Sequence, residues 1–191
     1  MSAGVGVAEN ANTAVLVTVG PGGHVLDRRT VQLTTGLPTH PYHHEGAWAV
    51  GRYLDTPGAR RVPLSEAVAL VERVREAALR GARESLEALA ATVTTPIAGI
   101  ALRACPELPP TIEACIRDNR AQTVADSVMY RRALATAAQQ RGWTVHWYDR
   151  ERLLARRGLD AKLQKLGRAI GPPWQAKHKL AAAAALSTLE R

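Results

Sequence analysis

Hydrophobic residues recur along the chain with two periods, one typical of strands and one typical of helices. The run Ala14–Val19 is apolar on both of its alternating faces, which predicts a strand in the middle of a sheet. The run His24–Leu33 predicts a second strand, and Gly20-Pro21-Gly22-Gly23 between the two predicts a hairpin turn. Gly46–Leu54, with Trp48 as a packing residue, predicts a third strand.

The rest of the chain alternates between helical and strand periods. Apolar residues every three or four positions predict three main helices, at Ser65–Thr92, Arg120–Arg141 and Trp174–Leu189. Buried strands are predicted at Thr95–Ala104 and Thr144–Tyr148. The order β-β-β-α-β-α-β-α predicts one α/β domain with a mixed sheet and flanking helices over residues 13–191. Residues 1–12 are small and polar and are predicted to form a mobile tail.

Charge and composition indicate which chemical class of partner and which cellular compartment to expect. The 191 residues carry a formal charge of +8, which favours a polyanionic partner, although an Arg-rich composition alone would give the same value. The two cysteines, Cys105 and Cys115, form no metal or redox motif. No signal peptide and no apolar run long enough to span a bilayer is found. A cytoplasmic location without membrane association is expected.

Three short stretches carry a resemblance to a known family. Val17–Gly23 is similar to a first strand that ends in Asp-Pro-Gly before a hairpin. Arg120–Arg131 resembles a helix of small residues, and His178–Ala185 resembles a closing helix in which an acid precedes a run of alanines. With the element order, these stretches resemble the ribonuclease H-like superfamily, in particular the RuvC-type Holliday-junction resolvases. The resemblance implies a ribonuclease H-like mixed sheet of three sequential strands followed by alternating helices and strands.

The resemblance also implies a chemistry whose ligands this chain lacks. In the family, carboxylates hold two divalent ions, Mg²⁺ or Mn²⁺, that activate water for phosphodiester cleavage. The family's first aspartate matches Gly20, its fourth-strand glutamate falls near Leu102-Arg103, and its closing-helix acid falls near His178 or Leu180. None of these positions is acidic, so two-metal catalysis at the inherited place is not expected.

Other carboxylates could replace the missing ligands. If the protein is a nuclease, the candidate catalytic residues are Asp126, Asp27 and Glu113, with Glu45 as a further candidate. The alternative for Asp126 is an ordinary helical acid that pairs with nearby arginines. For Asp27 it is an exposed strand residue beside Arg28 and Arg29.

Histidines cluster in one loop. His40, His43, His44 and Glu45 form the densest set of potential metal ligands, but their spacing matches no established zinc motif. The alternative is a solvated loop. His178 is either a half-buried residue under Trp174 or a phosphate contact.

The C-terminal third supplies the strongest signal for a partner. Its aromatic residues can stack on exposed bases, although Trp143 and Trp147 flank a predicted strand and are expected in the core. The candidate nucleic-acid-binding residues are Arg156, Arg157, Lys162, Lys165, Arg168, Lys177, His178 and Lys179.

The sequence therefore predicts a protein that binds DNA or RNA through a basic surface and lacks standard two-metal catalysis. Two alternatives stay open. One is a Mg²⁺- or Mn²⁺-dependent nuclease with relocated carboxylates. The other is a structural protein whose Ala-rich helices pack against a partner, including a homo-oligomer.

Overall fold

A computed structural model describes residues 2–189 of the chain; Met1, Glu190 and Arg191 lie outside the described residues. The strands are β1 (Ala3–Asn10), β2 (Thr13–Val19), β3 (Val25–Gln32), β4 (Ile97–Arg103) and β5 (Thr144–Tyr148). The helices are a π-helical turn (Tyr42–Gly46), α1 (Ala47–Ala49), α2 (Leu64–Thr92), α3 (Ile112–Arg117), α4 (Asn119–Gln140), α5 (Arg150–Leu154), α6 (Leu159–Ile170) and α7 (Ala176–Leu189). No helix among these is long and apolar enough to cross a bilayer.

The strands form a mixed sheet in the order β3-β2-β1-β4-β5. β1, β2 and β3 are antiparallel neighbours, whereas β4 and β5 run parallel to β1. This mixed α/β architecture confirms the predicted fold class. The connection from β4 to β5 passes through α3 and α4. Because β1, β4 and β5 are parallel, their carboxyl ends lie at one edge of the sheet.

The prediction of a mobile tail over residues 1–12 is wrong for the part that the structure describes. Ala3–Asn10 is β1, which lies at the centre of the sheet between β2 and β4. Its residues are small because α7 packs directly on it: a Cβ atom at Gly4 would overlap Thr188, and one at Gly6 would overlap the Ala181 backbone. Because β1 has few long side chains, its composition resembles that of a disordered tail. It is nevertheless one of the most buried segments of the chain.

The predicted strand at Gly46–Leu54 is also wrong. This segment contains the end of the π-helical turn, then α1, then turns. The three sequential strands are therefore β1, β2 and β3. As a consequence Gly20 follows the second strand, and the end of the first strand carries Glu9.

Helices cover both faces of the sheet. α2 and α4 pack on one face, over a core that includes Val5, Val7 and Leu102. α7 packs on the other face, where Ala181–Ala185 are fully buried between the sheet and the outer helices α5 and α6. Alanine is the side chain that permits this close approach of helix to strand.

Candidate nucleic-acid interface

The carboxyl-terminal edge of the parallel strands opens into a groove of about 790 Å³. Its walls come from the ends of β4 and β5, the first half of α4, and α5. Basic side chains from three of these elements reach it. The lining residues are Arg103, Ala104, Cys105, Pro106, Val124, Ser127, Arg131, Tyr148, Asp149, Arg150, Glu151 and Leu154.

A buried ion pair lies beside this groove. Arg131 Nε of α4 lies 2.7 Å from Glu9 Oε1 at the end of β1, and the two side chains are 7% and 8% exposed. The contact is close in distance but lacks hydrogen-bond geometry at Nε. The other guanidinium nitrogens donate to Ala104 O at 2.9 Å and to Ser127 Oγ at 3.0 Å. Arg131 thus joins the ends of β1 and β4 to α4 and neutralises the acid of the first strand.

The opposite face of the same strand ends carries no acid. Ala8 belongs to the layer of α7 alanines, and Arg103 alternates with the buried Leu102 onto that same face at the end of β4. Arg103 is exposed. Beside it, Tyr148 is buried and donates its hydroxyl to Val7 O at 2.8 Å, and burial raises the pKa of that phenol. At the ends of β1 and β4 the α7 face is therefore apolar and cationic, whereas Asp149 and Glu151 line the groove after β5.

Asp126, the first candidate ligand, has a structural role that neither interpretation of the sequence anticipated. It is 5% exposed on α4. Its two oxygens accept hydrogen bonds from the backbone N–H groups of Tyr42 and His43, both at 3.0 Å. Burial raises the pKa of Asp126 to about 7, against the opposing effect of these two donors, and the charge of Glu45 adds to the rise. The carboxyl group fastens the start of the π-helical turn to α4.

Glu45 lies near enough to Asp126 for its charge to act on that carboxyl, and its Oε2 is buried without a hydrogen-bond partner among residues 2–189. The two remaining candidates, Asp27 and Glu113, lie apart, each with its own partner. Asp27 on β3 accepts two hydrogen bonds of 2.7 Å from Arg29. Glu113 on α3 is exposed and pairs with Arg117 at 2.9 Å, one helical turn later. Within residues 2–189, no group of three or more His, Cys, Asp or Glu side chains is arranged to hold a metal ion. That finding includes the loop histidines His40, His43 and His44.

The structure divides the predicted basic residues between two regions. Arg156 and Arg157 follow α5 and are exposed, but they are not among the residues that line the groove. Lys162 and Lys165 on α6 instead line a second cavity of about 970 Å³ with the turn Pro21–His24, at the opposite edge of the sheet. Arg168, Lys177 and Lys179 are exposed. None of the eight candidates lines the groove, and they remain the predicted nucleic-acid-binding set.

His178 is half-buried beside Trp174, as its first interpretation predicts, and its contact with a phosphate stays a prediction. Its ring stacks on Trp174, with centroids 6.3 Å apart, and its Nδ1 accepts a hydrogen bond of 3.1 Å from the backbone N–H of Gln175. Burial lowers the pKa of His178, and the nearby charge of Arg28 lowers it further. The imidazole thus stabilises the beginning of α7.

The two tryptophans beside β5 differ. Trp143 is 8% exposed, as predicted for a core residue. Trp147 is 46% exposed and lies on β5, an edge strand of the sheet. The prediction that Trp147 lies in the core is wrong.

Comparison with solved structures supports the fold, whereas comparison of sequences assigns the chain to no family. No family model matches the chain, and no curated protein matches it. Among solved structures, the Thermus thermophilus RuvC in complex with a Holliday junction substrate aligns with a TM-score of 0.54 and 14% identity, over 98% of this chain and 92% of that one. The chain has the ribonuclease H-like fold. A second structure of T. thermophilus RuvC aligns with a TM-score of 0.49 and 13% identity, over 97% of this chain and 92% of that one.

The resemblance predicted from short motifs is thus confirmed at the level of fold. The residue that matches the end of the family's first strand, however, differs from the one predicted. The end of the first strand is Glu9 and not Gly20. Sequence reasoning missed the pair of Glu9 and Arg131. The available signal was the alternation of Gly4, Val5, Gly6 and Val7, which is the pattern of a strand packed closely on one face.

Proposed function

We propose that this protein binds nucleic acid at the carboxyl-terminal edge of its sheet and does not cleave it by two-metal catalysis. One observation carries the proposal: the groove at this edge presents Arg103 and Arg150, while the acid of the first strand, Glu9, is held in a buried ion pair with Arg131. The groove lining also includes Asp149 and Glu151, but the ends of β1 and β4, where the fold's nucleases collect carboxylates, face Arg131 and Arg103. A phosphate backbone is the complementary ligand.

The distribution of charge supports the same conclusion. Residues 149–179 contain nine of the chain's 25 Lys and Arg residues but three of its 17 Asp and Glu residues. Most of these basic residues are exposed on or after α5 and α6. Clustered cations release counterions from DNA or RNA, which gives affinity that does not depend on sequence.

The residues at this edge do not fit a pair of divalent ions. Mg²⁺ takes oxygen ligands, usually from carboxylates. On the α7 face the strand ends offer Ala8 and Arg103, and on the α4 face the oxygens of Glu9 face a guanidinium. A cation placed here would be repelled by Arg131, so no step through a metal ion is derived.

A salt-dependent binding measurement tests the proposal. Fluorescein-labelled duplex DNA and duplex RNA are titrated with the protein, and anisotropy gives the affinity over a range of salt concentrations. The double variant Arg103→Ala/Arg150→Ala is expected to weaken binding and to reduce the slope of log affinity against log salt by about 1–2, since each phosphate contact contributes about 0.9.

The matched control is the double variant Arg73→Ala/Arg80→Ala on the exposed side of α2, which also removes two positive charges. We expect it to leave the slope nearly unchanged. If the groove and control variants reduced the slope equally, only the net charge of the protein would determine binding, and the groove would have no specific part in it. Absence of binding together with a stable oligomer in light scattering would contradict the proposal and favour the structural alternative.

A further inference from the structure

The loop between β3 and α2 carries five aromatic or imidazole rings in contact with one another. The ring of Trp48 stacks on His44 with an interplanar angle of 12° and centroids 6.0 Å apart. His44 contacts His43 at 5.4 Å and His40 at 5.6 Å, and His43 contacts Tyr53 at 5.8 Å. We call these five residues the ring row.

Part of the ring row is open to solvent. Tyr53 is 44% exposed, and His44 is exposed as well. Among the large hydrophobic side chains of residues 2–189, Tyr53, Trp147 and Leu154 are the exposed ones. Tyr53 contacts His43 at a tilt of 42°, and His43 contacts His44 at a tilt of 49°. The exposed rings of Tyr53 and His44 therefore offer separate faces to flat ligands.

The backbone holds Tyr53 in an unusual conformation. Its φ angle is 55°, in the left-handed region that large side chains disfavour and glycine adopts readily. The same loop uses glycine for this purpose at Gly51 and Gly58, with φ angles of 78° and 82°. A bulky ring at a position suited to glycine indicates that the ring itself has a use.

The ring row is fastened to the body of the protein. Next to Tyr53, Arg52 donates hydrogen bonds to Ile116 O at 2.9 Å, to Arg117 O at 2.6 Å and to Gln122 Oε1 at 3.2 Å. One helical turn after Gln122, Asp126 accepts the hydrogen bonds of the π-helical turn.

A third anchor completes this face of α4. One further turn along the helix, Tyr130 donates its hydroxyl to Thr39 O at 2.9 Å. The rings are therefore held in place before any ligand arrives, which lowers the entropy cost of binding.

The ring row lies at the same edge of the sheet as the arginine groove. Asn10 at the end of β1 pairs with Thr13, and Thr13 pairs with Gln32 at the end of β3. The loop therefore leaves the sheet where β1 ends. It also carries the exposed Arg60 and Arg61. Rings and phosphate-binding cations thus share one side of the molecule.

From this arrangement we propose that the ring row stacks unpaired bases of a single-stranded nucleic acid whose backbone contacts the arginines of the same edge. The inference rests on the proposed function and specifies its ligand. Base stacking on rings is tolerant of sequence because every base has a π-face. A duplex hides those faces, so it would engage the arginines alone.

The test compares single-stranded and duplex ligands of the same sequence, each about 16 nucleotides long, the upper range of a single binding module. His44→Ala and Tyr53→Gly are expected to weaken single-strand binding about tenfold each, the usual effect of losing one stacked ring. Duplex binding is expected to stay unchanged. Tyr53→Phe keeps the ring, and His24→Ala removes an exposed histidine at the opposite edge of the sheet, so both controls are expected to bind like the wild type.

Tyr53→Gly also separates binding from folding. Glycine relieves the disfavoured φ angle, so the thermal midpoint is expected to stay equal or to rise while single-strand binding falls. Wild-type affinity of both His44→Ala and Tyr53→Gly for the single strand would overturn the inference. If those variants are unaffected but Arg103→Ala/Arg150→Ala weakens binding, the inference fails and the proposed function survives. If the wild-type protein binds neither ligand, both fail.

Discussion

Arg131 and Glu9 form an ion pair of 2.7 Å that joins the middle of α4 to the end of the central strand, with both side chains almost fully buried. The pair places a fixed positive charge beside the strand ends where the fold's nucleases bind cations. Under the proposed function, this pairing is the reason why an acid at the end of the first strand would not serve as a metal ligand. The carboxylate is already compensated by a group that cannot be deprotonated in a protein.

Removing one partner of this pair is expected to destabilise the protein more than removing both. Glu9→Leu or Arg131→Met leaves an uncompensated buried charge and should lower the free energy of unfolding by about 3–5 kcal/mol. The double variant should recover a large part of that loss, because two apolar side chains replace two charges. Urea denaturation measures all three variants.

The exposed pair of Glu113 and Arg117 provides the control, since its side chains are 53% and 61% exposed. Glu113→Gln should change the free energy of unfolding by less than about 1 kcal/mol. Additive losses in the double variant of the buried pair would contradict this account of Glu9 and Arg131.

Asp126→Ala is expected to loosen the loop that carries the ring row. The change leaves the N–H groups of Tyr42 and His43 without an acceptor, at a cost of about 1–3 kcal/mol for each group that stays buried. Thermal and urea denaturation measure the loss. Asp149→Ala, which removes the exposed cap of α5, should cost about 1 kcal/mol. If Asp126→Ala lost no more free energy of unfolding than Asp149→Ala, Asp126 would not hold the loop.

The raised pKa of Asp126 predicts a specific dependence of stability on pH. Below about pH 4 the carboxyl is protonated in both the folded and the unfolded chain, and above about pH 7 it is ionised in both. Between these values the unfolded chain ionises first, so the contribution of Asp126 to folding stability falls as pH rises. A pKa change from 3.8 to about 7 corresponds to roughly 4 kcal/mol across this interval.

Asp126→Asn isolates that contribution. His40, whose pKa is lowered by burial and by His44 and His43, makes folding stability rise with pH in part of the same range. His40 Nδ1 lies 3.9 Å from Asp126 Oδ2, so the two groups titrate as a pair and the effect of His40 does not cancel when Asp126 alone is replaced. Both the reference protein and the Asp126→Asn variant therefore carry His40→Ala. The difference in the free energy of unfolding should decline from pH 4 to pH 7 and stay level above it. A difference independent of pH would contradict the raised pKa.

The elements that sequence analysis located correctly are those with a clear period. The long helix around Val71 and Leu86 and the buried strand around Ile100 have regular apolar faces. β1 was missed because its packing depends on the absence of side chains, which local hydrophobicity does not reveal. The role of Asp126 was missed because its partners, 83 and 84 residues away, are backbone N–H groups that have no sequence signature.

Gly6→Ala tests the close contact of α7 with β1. The added Cβ atom would overlap the Ala181 carbonyl oxygen and the Ala185 nitrogen, both of which are backbone atoms that cannot rotate away. We expect a loss of about 3 kcal/mol or more in the free energy of unfolding. Lys177→Ala on the exposed start of α7 should change it by less than about 0.5 kcal/mol. A Gly6→Ala protein of wild-type stability would mean that α7 does not pack on β1 at this distance.

The most direct test of the central claim is to incubate the wild-type protein with end-labelled duplex DNA, single-stranded DNA and a four-way junction, in Mg²⁺ and in Mn²⁺, and to measure binding and cleavage in the same samples. The account predicts salt-sensitive complexes that leave every strand intact with either ion, and that weaken when Arg103 and Arg150 are replaced by alanine. Metal-dependent cleavage that is lost in Asp126→Ala or Asp27→Ala would contradict it.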